Sequence, residues 1–290
     1  GSITCWVRPS SLFSPSRGSK PVHIIRAIPD DAEHLARSLK GIDTVIHLAS
    51  PTGSGHPAHV WDRDIRQLTA RLTVAARDAG VRHFILVSSI AAGYEKTLRY
   101  PYALAKRAAE QEARDHHGHM GLSILRPSPV FGAGSPVFAG FARMASLPRP
   151  VLFGPGQLPC APVARQDLCH TLLALCHGDP LGHEPLVVEG PEAVSLNDLS
   201  RRIRLGMGLT DRPPFHFPLP LIVGGLWLWE SLHLPFPFTL GQLATFRNPS
   251  VGTGIRPAIV PEKRTGLNTM IQESLTHPPA EPFDETDREC

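Results

Sequence analysis

A tyrosine and a lysine four residues apart, Tyr102 and Lys106, begin a segment with helical periodicity. Residues with this spacing share one face of a helix, so the ammonium group can approach the phenol. A free phenol has a pKa of about 10, and a nearby positive charge favours the phenolate. The pair could therefore exchange a proton with a substrate hydroxyl or carbonyl at neutral pH.

Two serines, Ser88 and Ser89, end the apolar run that precedes this helix. A serine hydroxyl at the carboxyl end of a neighbouring strand could orient the same substrate oxygen. Taken alone, the Tyr-x-x-x-Lys spacing also fits an ordinary exposed side-chain pair. The context favours chemistry, because a strand ending in two serines comes before the pair and a strand running into Arg126-Pro127 comes after it.

The elements around these residues alternate between short apolar runs and longer helical segments. The patterns predict strands over residues 3–7, 22–25, 43–48, 83–88, 122–125 and 185–189, and helices over 61–79, 102–116 and 167–177. Strands that alternate with helices of this length are typical of βαβ units, whose strands pair in parallel. The expected fold class is α/β, with a doubly wound parallel sheet.

Five phrases of the sequence occur in a specific order. They are DTVIHLAS (43–50), AARDAGVRHFILVSS (75–89), PYALAKRAAE (101–110), LRPSPVFGAG (125–134) and PVARQDL (162–168). On these phrases the chain resembles the short-chain dehydrogenase/reductase superfamily, in its extended or atypical NAD(P)-dependent epimerase/dehydratase-like branch. The resemblance covers residues 3–203. It implies a Rossmann-type sheet, NAD or NADP as cofactor, and a Ser-Tyr-Lys catalytic group.

The resemblance also implies a role for each residue of that group. Tyr102 would be the acid/base, and Lys106 would lower its pKa while contacting the nicotinamide ribose. Ser89 is the better match for the catalytic serine, with Ser88 as the alternative.

Four further residues are implied as cofactor contacts: Arg8, Ala49, Ser50 and Pro127. Arg8 ends the first visible strand, where an acidic residue favours NAD and an arginine favours NADP. NADP is therefore preferred to NAD. The alternative for Arg8 is a solvated loop cation.

The chain departs from the family at its beginning. Such proteins open with a strand and a Gly-x-x-Gly-x-x-Gly turn that admits the cofactor's pyrophosphate, and nothing like it precedes residue 3. Glycines at 51–56, 131–134 and 221–226 follow other strands and are interpreted as turn or packing glycines. In the usual strand order the absent strand lies between 3–7 and 43–48. The chain is therefore expected to be a fragment, or to pair those two strands directly.

The resemblance and a change in composition after residue 126 suggest three regions. Residues 1–130 would form a dinucleotide-binding domain that lacks its first βα unit. Residues 131–249, rich in proline and glycine, would form a smaller substrate or cap region, with 185–189 able to return to the main sheet. Residues 250–290 are predicted to be a largely disordered tail.

Composition limits the partners. The net charge is only +3, without a basic block, so nucleic acid is not expected. Five cysteines without paired CxxC spacing predict free thiols, no metal site and a cytoplasmic location. No run is long and apolar enough to span a bilayer. The apolar segment 215–238 fits burial in a cap, or peripheral contact with a membrane surface or another protein.

The expected function is that of an NAD(P)-dependent oxidoreductase or epimerase/dehydratase, with a small alcohol, ketone or sugar nucleotide as its substrate. Two alternatives stay open. One is a non-catalytic nucleotide-binding or scaffold protein, similar to the atypical accessory subunit of respiratory complex I. The other is an inactive fragment.

Overall fold

The computed structural model describes residues 2–9, 22–27, 32–51, 56–95, 100–218, 242–252 and 259–277. The strands are β1 (Ile3–Val7), β2 (Val22–Arg26), β3 (Thr44–His47), β4 (His83–Val87), β5 (Gly121–Pro127), β6 (Val130–Phe131), β7 (Val151–Phe153), β8 (Pro159–Cys160), β9 (Val163–Ala164), β10 (Leu186–Val188), β11 (Val194–Ser195) and β12 (Phe215–Phe217). The helices are α1 (Ala32–Leu39), α2 (Ala58–Trp61), α3 (Leu68–Asp78), α4 (Pro101–His116), α5 (Pro136–Ser146), α6 (Arg165–His177), α7 (Leu196–Gly206) and α8 (Leu267–Thr276). A π-helical stretch, Asp62–Gln67, joins α2 to α3 in the long helical region that the sequence predicts.

The main sheet has four parallel strands in the order β10-β5-β4-β3. Successive side chains of a strand point to opposite faces, and both faces are covered here. Phe84 and Leu86 of β4 pack in a cluster with residues of α1 and α3, whereas Ile85 packs with residues of α6. Helices on both faces of a parallel sheet define the doubly wound α/β fold, and this prediction is confirmed.

The strands β1 and β2 form a separate parallel pair. Within the described ranges, β1 does not pair with β3, so the second of the two alternatives, direct pairing of these strands, is wrong. Each strand instead pairs with one parallel neighbour, β1 with β2 and β3 with β4. Large apolar residues on or beside these strands remain exposed, with Ile3 at 49%, Ile46 at 36% and Leu48 at 60%. This exposure agrees with strands that lie at sheet edges.

A second cluster of buried residues lies beyond the main-sheet strand β5, between residues 131 and 271. It combines side chains from β6, α5, β7, α7 and α8. The region predicted to be a largely disordered tail differs from that expectation, because residues 267–276 form α8. Leu267, Met270 and Ile271 lie on one helical face and are buried in this cluster. The predicted strand at 185–189 appears as β10 and joins the main sheet beside β5.

The glycine cluster at 131–134 lies at the turn before α5. Gly134 has a φ of 73°, a left-handed conformation that favours glycine, in agreement with its interpretation as a turn residue. Residues 52–55 and 221–226 lie outside the described residues.

Only the start of the apolar segment 215–238 is described, and Phe215–Phe217 forms β12 beside β7. Residues 219–238 lie outside the described ranges. Among the helices that the structure describes, none combines the length and apolar character required to cross a bilayer.

Candidate functional site

The residues singled out by their spacing meet at the carboxyl end of the main sheet. Ser88 and Ser89 directly follow β4, and Tyr102 lies in the first turn of α4. Pro101 opens this helix, where a missing backbone N–H costs nothing. Lys106 follows one turn later. In open α/β folds this edge of the sheet is where ligands bind.

The structure distinguishes the two serines. The Ser89 hydroxyl hydrogen-bonds to the phenol of Tyr102 and also accepts from the backbone N–H of Ala91 at 3.2 Å. The Ser88 hydroxyl points to α4, where it donates to Glu110 Oε1 at 2.6 Å. The geometry thus brings Ser89, and not Ser88, to the phenol.

Lys106 is buried beside the phenol. Its ammonium Nζ lies 5.8 Å from the ring centroid of Tyr102 and donates to the carbonyl oxygen of Val87 at 3.1 Å. Burial lowers the pKa of Lys106 to about 8, and the negative charge of Glu110 works against this shift. The pKa of Lys106 therefore lies close to neutral pH.

The expected lowering of the Tyr102 pKa by Lys106 is not what the structure shows. Burial raises the pKa of Tyr102, and the hydrogen bond with Ser89 only opposes that shift. The rings of Trp61 and Tyr100 lie 5.4 and 5.6 Å from the Tyr102 ring between centroids and pack against it. Desolvation penalises the phenolate. Tyr102 consequently holds its proton at neutral pH.

A buried histidine that the sequence analysis missed lies on the next strand. His47 ends β3, is 5% exposed, and has its Nε2 3.0 Å from Thr69 Oγ1. Because Thr69 donates its only hydroxyl proton to the carbonyl oxygen of Ile65, His47 must donate through Nε2. Desolvation, followed by the charge of Lys106, lowers the pKa of His47 to about 3. The sequence signal that could have identified His47 was its position near the carboxyl end of a predicted strand.

This histidine gives the protein a specific pH dependence. Its pKa is about 3 when folded and 6.5 in the reference state, so the unfolded chain binds the extra proton more readily below pH 6.5. Stability contributed by His47 is present above that pH and declines as the pH falls towards 3. Between pH 7 and pH 5 the free energy of unfolding should fall by about 2 kcal/mol on this account.

Urea unfolding at both pH values, in the native protein and in His47→Asn, measures this effect. The variant should lose most of that pH dependence. His119→Asn, which changes an exposed histidine, serves as the matched control and should retain it. Equal pH dependence in the native protein and His47→Asn would contradict the assignment.

The residues expected to contact a cofactor lie in two places. Ala49 and Ser50 follow β3, and Pro127 ends β5, all at the carboxyl edge of the main sheet. Arg8 is exposed at the end of β1, on the separate two-stranded sheet.

One buried polar atom without a hydrogen-bond partner indicates whether these residues suit a nucleotide. Ser50 Oγ is buried and has no hydrogen-bond partner, a costly condition that a ligand hydroxyl could relieve. The ammonium of Lys106 supplies donors at the same edge of the sheet. Both are polar groups of the kind that hydrogen-bond to the hydroxyls of a nucleotide's ribose. In the described part of the chain, no Gly-x-x-Gly-x-x-Gly turn is present for the pyrophosphate.

Two charged residues beneath the group were also missed by the sequence analysis. Glu110, one turn beyond Lys106, is fully buried and binds Arg126 of β5 through both carboxylate oxygens, at 2.8 and 2.6 Å. In the sequence analysis, Arg126 is named only as the residue before Pro127 in a family motif. The four-residue spacing of Lys106 and Glu110 was a visible signal, but their burial was not.

A doubly wound parallel sheet with helices on both faces defines a Rossmann-type α/β fold, and a serine, a tyrosine and a lysine lie at its carboxyl edge. A model of the NAD dependent epimerase/dehydratase family matches residues 2–156, a little over half of the chain. The chain belongs to this family, which confirms the resemblance found in the sequence.

Individual relatives agree with this assignment. UDP-glucose 4-epimerase of Vibrio cholerae is 26% identical over 211 residues, covering 63% of this chain and 62% of that protein. The chain spans less than two thirds of the length of the curated relatives that it matches.

Solved structures show the same fold. The crystal structure of gox2253 aligns with a TM-score of 0.73 at 20% identity, covering 93% of this chain and 88% of that one. UDP-glucuronic acid 4-epimerase from Bacillus cereus, in complex with NAD, aligns with a TM-score of 0.61 at 18% identity, covering 88% and 80%.

Proposed function

We propose that this protein is an NAD(P)-dependent enzyme of sugar-nucleotide metabolism, an epimerase or dehydratase in which a hydroxyl-bearing carbon of the sugar is oxidised transiently and the hydride it loses to the cofactor is later returned. The observation that carries the proposal is the convergence of Ser89, Tyr102 and Lys106 at one edge of the sheet. Names of related proteins support the substrate class, since a UDP-glucose 4-epimerase and a UDP-glucuronic acid 4-epimerase are both similar to this chain.

The residues divide the work as follows. To act as a base, Tyr102 must first lose the proton that it holds in this structure. Its Oη would then take the proton of the substrate hydroxyl and later return it, while Ser89 hydrogen-bonds to the same oxygen and fixes its position. Lys106 and Ser50 bind the ribose hydroxyls of the cofactor. The bound nicotinamide supplies hydride transfer. Trp61 and Tyr100, whose rings pack against that of Tyr102, would limit the access of water to the phenol.

A conversion assay with UDP-glucose and UDP-glucuronic acid tests this function, with NAD or NADP added and products identified by NMR. The assay should use the printed chain and also the protein with any residues that precede Gly1 in its natural polypeptide. Interconversion at the sugar carbon by either form supports the proposal. Tight cofactor binding without turnover would contradict it and favour the nucleotide-binding scaffold. Lack of cofactor binding by both forms would exclude both functions.

Arg8 supports a preference for NADP. An arginine at the end of this strand can bind the 2′-phosphate, which NAD lacks. Arg8→Ser should weaken NADPH binding by about tenfold, equivalent to about 1.4 kcal/mol, and leave NADH binding unchanged. Fluorescence titration of both cofactors measures this directly. Arg37→Ser, at an exposed arginine of α1, is the control. Equal effects of Arg8→Ser on both cofactors would contradict the preference.

We place the protein in the cytoplasm. The described cysteines, Cys5, Cys160, Cys169 and Cys176, are all free thiols, which supports a reducing compartment. The proposed partner is a small-molecule substrate and not nucleic acid. Peripheral contact through 215–238 remains part of the proposal.

A further inference from the structure

Glu110 joins three elements beneath the Ser-Tyr-Lys group. Its carboxylate on α4 accepts hydrogen bonds from Ser88 after β4 and from the guanidinium of Arg126 on β5. Arg114, one turn further along α4, lies 3.5 Å away. The carboxylate therefore ties the helix that carries the tyrosine to the ends of two adjacent strands.

The burial of this carboxylate requires a reason. Glu110 is 0% exposed, and an ionised carboxylate in such a site is costly unless it is paired and hydrogen-bonded. Arg126 and Ser88 meet that need. However, replacing a buried ion pair with well-packed apolar residues is often neutral or stabilising, so stability alone is a weak explanation for it.

The location of Glu110 suggests what else it does. It lies one helical turn beyond Lys106, whose ammonium donates to Val87, the residue just before Ser88. Glu110 therefore has two links to the Ser-Tyr-Lys group. It holds Ser88, the residue before Ser89, by a hydrogen bond, and its negative charge favours the charged form of Lys106. Desolvation lowers the pKa of Lys106, and the charge of Glu110 opposes this shift by raising the pKa.

The other titratable and charged groups that the structure describes around Lys106 do not supply the negative charge that Glu110 supplies. Tyr102 on α4 keeps its proton, and His47 on β3 is neutral at pH 7, with a pKa of about 3. Arg126 on β5 is positive and bound to Glu110. Glu110 is the carboxylate that favours the charged form of Lys106.

We propose that Glu110 is a positioning residue of the active site, which holds the Ser89 segment through Ser88 and balances the ammonium charge of Lys106 through its carboxylate. This inference rests on the proposed function for its catalytic meaning. The physical arrangement can nevertheless be tested without turnover, because the protonation of Lys106 can be observed directly.

The test is an NMR titration of lysine labelled with ¹³C at Cε. The chain has only five lysines, and the signal of Lys106 is assigned by its disappearance in Lys106→Met. In the native protein Lys106 should titrate near its pKa of about 8. Glu110→Gln keeps the shape of the side chain but removes the charge, and should lower that midpoint by about one pH unit. Glu112→Gln, which changes a partly buried carboxylate of α4 that pairs with Arg66, should leave the midpoint unchanged.

For a second variant, Arg126→Gln, we expect the titration midpoint of Lys106 to shift in the opposite direction. Removing the guanidinium leaves the negative charge of Glu110 less compensated, so the Lys106 midpoint should rise. This variant carries the test if Glu110→Gln does not fold. A purely structural ion pair predicts that both variants lower the stability while Lys106 titrates as in the native protein, and that result would overturn the proposal.

Turnover separates this inference from the proposed function. If the function is correct, Glu110→Gln should lower kcat at pH 7 by about tenfold with little change in KM, and Glu110→Asp should recover part of the loss. The pH profile of kcat should move with the Lys106 midpoint. If the native protein converts no sugar nucleotide, the proposed function fails, while the NMR midpoints still decide the role of Glu110.

Discussion

Replacing Tyr102 with phenylalanine is expected to reduce turnover by about 100- to 10,000-fold, the usual contribution of a positioned acid or base. The substitution removes only the hydroxyl that hydrogen-bonds to Ser89. The aromatic contacts with Trp61 and Tyr100 persist, so the fold and cofactor binding should change little. The measurement is kcat/KM with the best sugar nucleotide, beside a cofactor titration.

Tyr94→Phe is the matched control for this variant. The Tyr94 hydroxyl is also buried, but it lies 2.9 Å from Ser250 Oγ and not beside Ser89. Its loss should lower the free energy of unfolding by about 1 kcal/mol and change turnover by less than about threefold. Comparable turnover in Tyr102→Phe and the native protein would remove the acid/base assignment.

Replacing Phe131 with alanine is expected to cause the largest loss of stability, about 3 to 5 kcal/mol. Phe131 ends β6, is fully buried, and packs edge-on against Phe138 and Phe141, with ring centroids 5.1 and 6.2 Å away. These neighbours come from a rigid helix, α5, which limits collapse into the space left by the ring. The resulting cavity adds its cost to that of the lost burial.

Urea unfolding measures this loss, with Phe215→Ala as the control. Phe215 is also a phenylalanine on a short strand, but 39% of it is exposed. Its removal should cost less than about 1 kcal/mol. Similar losses for the two variants would show that the cluster around Phe131 does not form a cooperative core.

The two predictions concern neighbouring but different parts of the structure. Phe131 lies just beyond the loop that begins at Pro127, so the cluster around it supports the segment that leaves β5. Tyr102 stands on the neighbouring helix. A loss of stability and a loss of turnover should therefore be separable, since the two side chains belong to different clusters.

Several features of the fold could be predicted because the signals are local. The buried strand β4 is a short apolar run bounded by turns, and α4 begins with a proline and keeps its apolar face over sixteen residues. The alternation of such elements was enough for a doubly wound sheet. Two helices were not predicted: α5, which lies in a stretch rich in proline and glycine, and α8, whose short amphipathic pattern lies in a polar stretch. Both pack in the same buried cluster.

The sequence alone determined which residue types stand where chemistry is possible, because the spacing of Tyr102 and Lys106 is a property of one helical turn. Only the tertiary structure decided which serine faces the phenol, that Glu110 binds Arg126 sixteen residues away, and that His47 is buried and neutral. It also reversed the expected direction of the Tyr102 pKa. Pairing and desolvation depend on distant segments that pack around a group, and no local pattern encodes them.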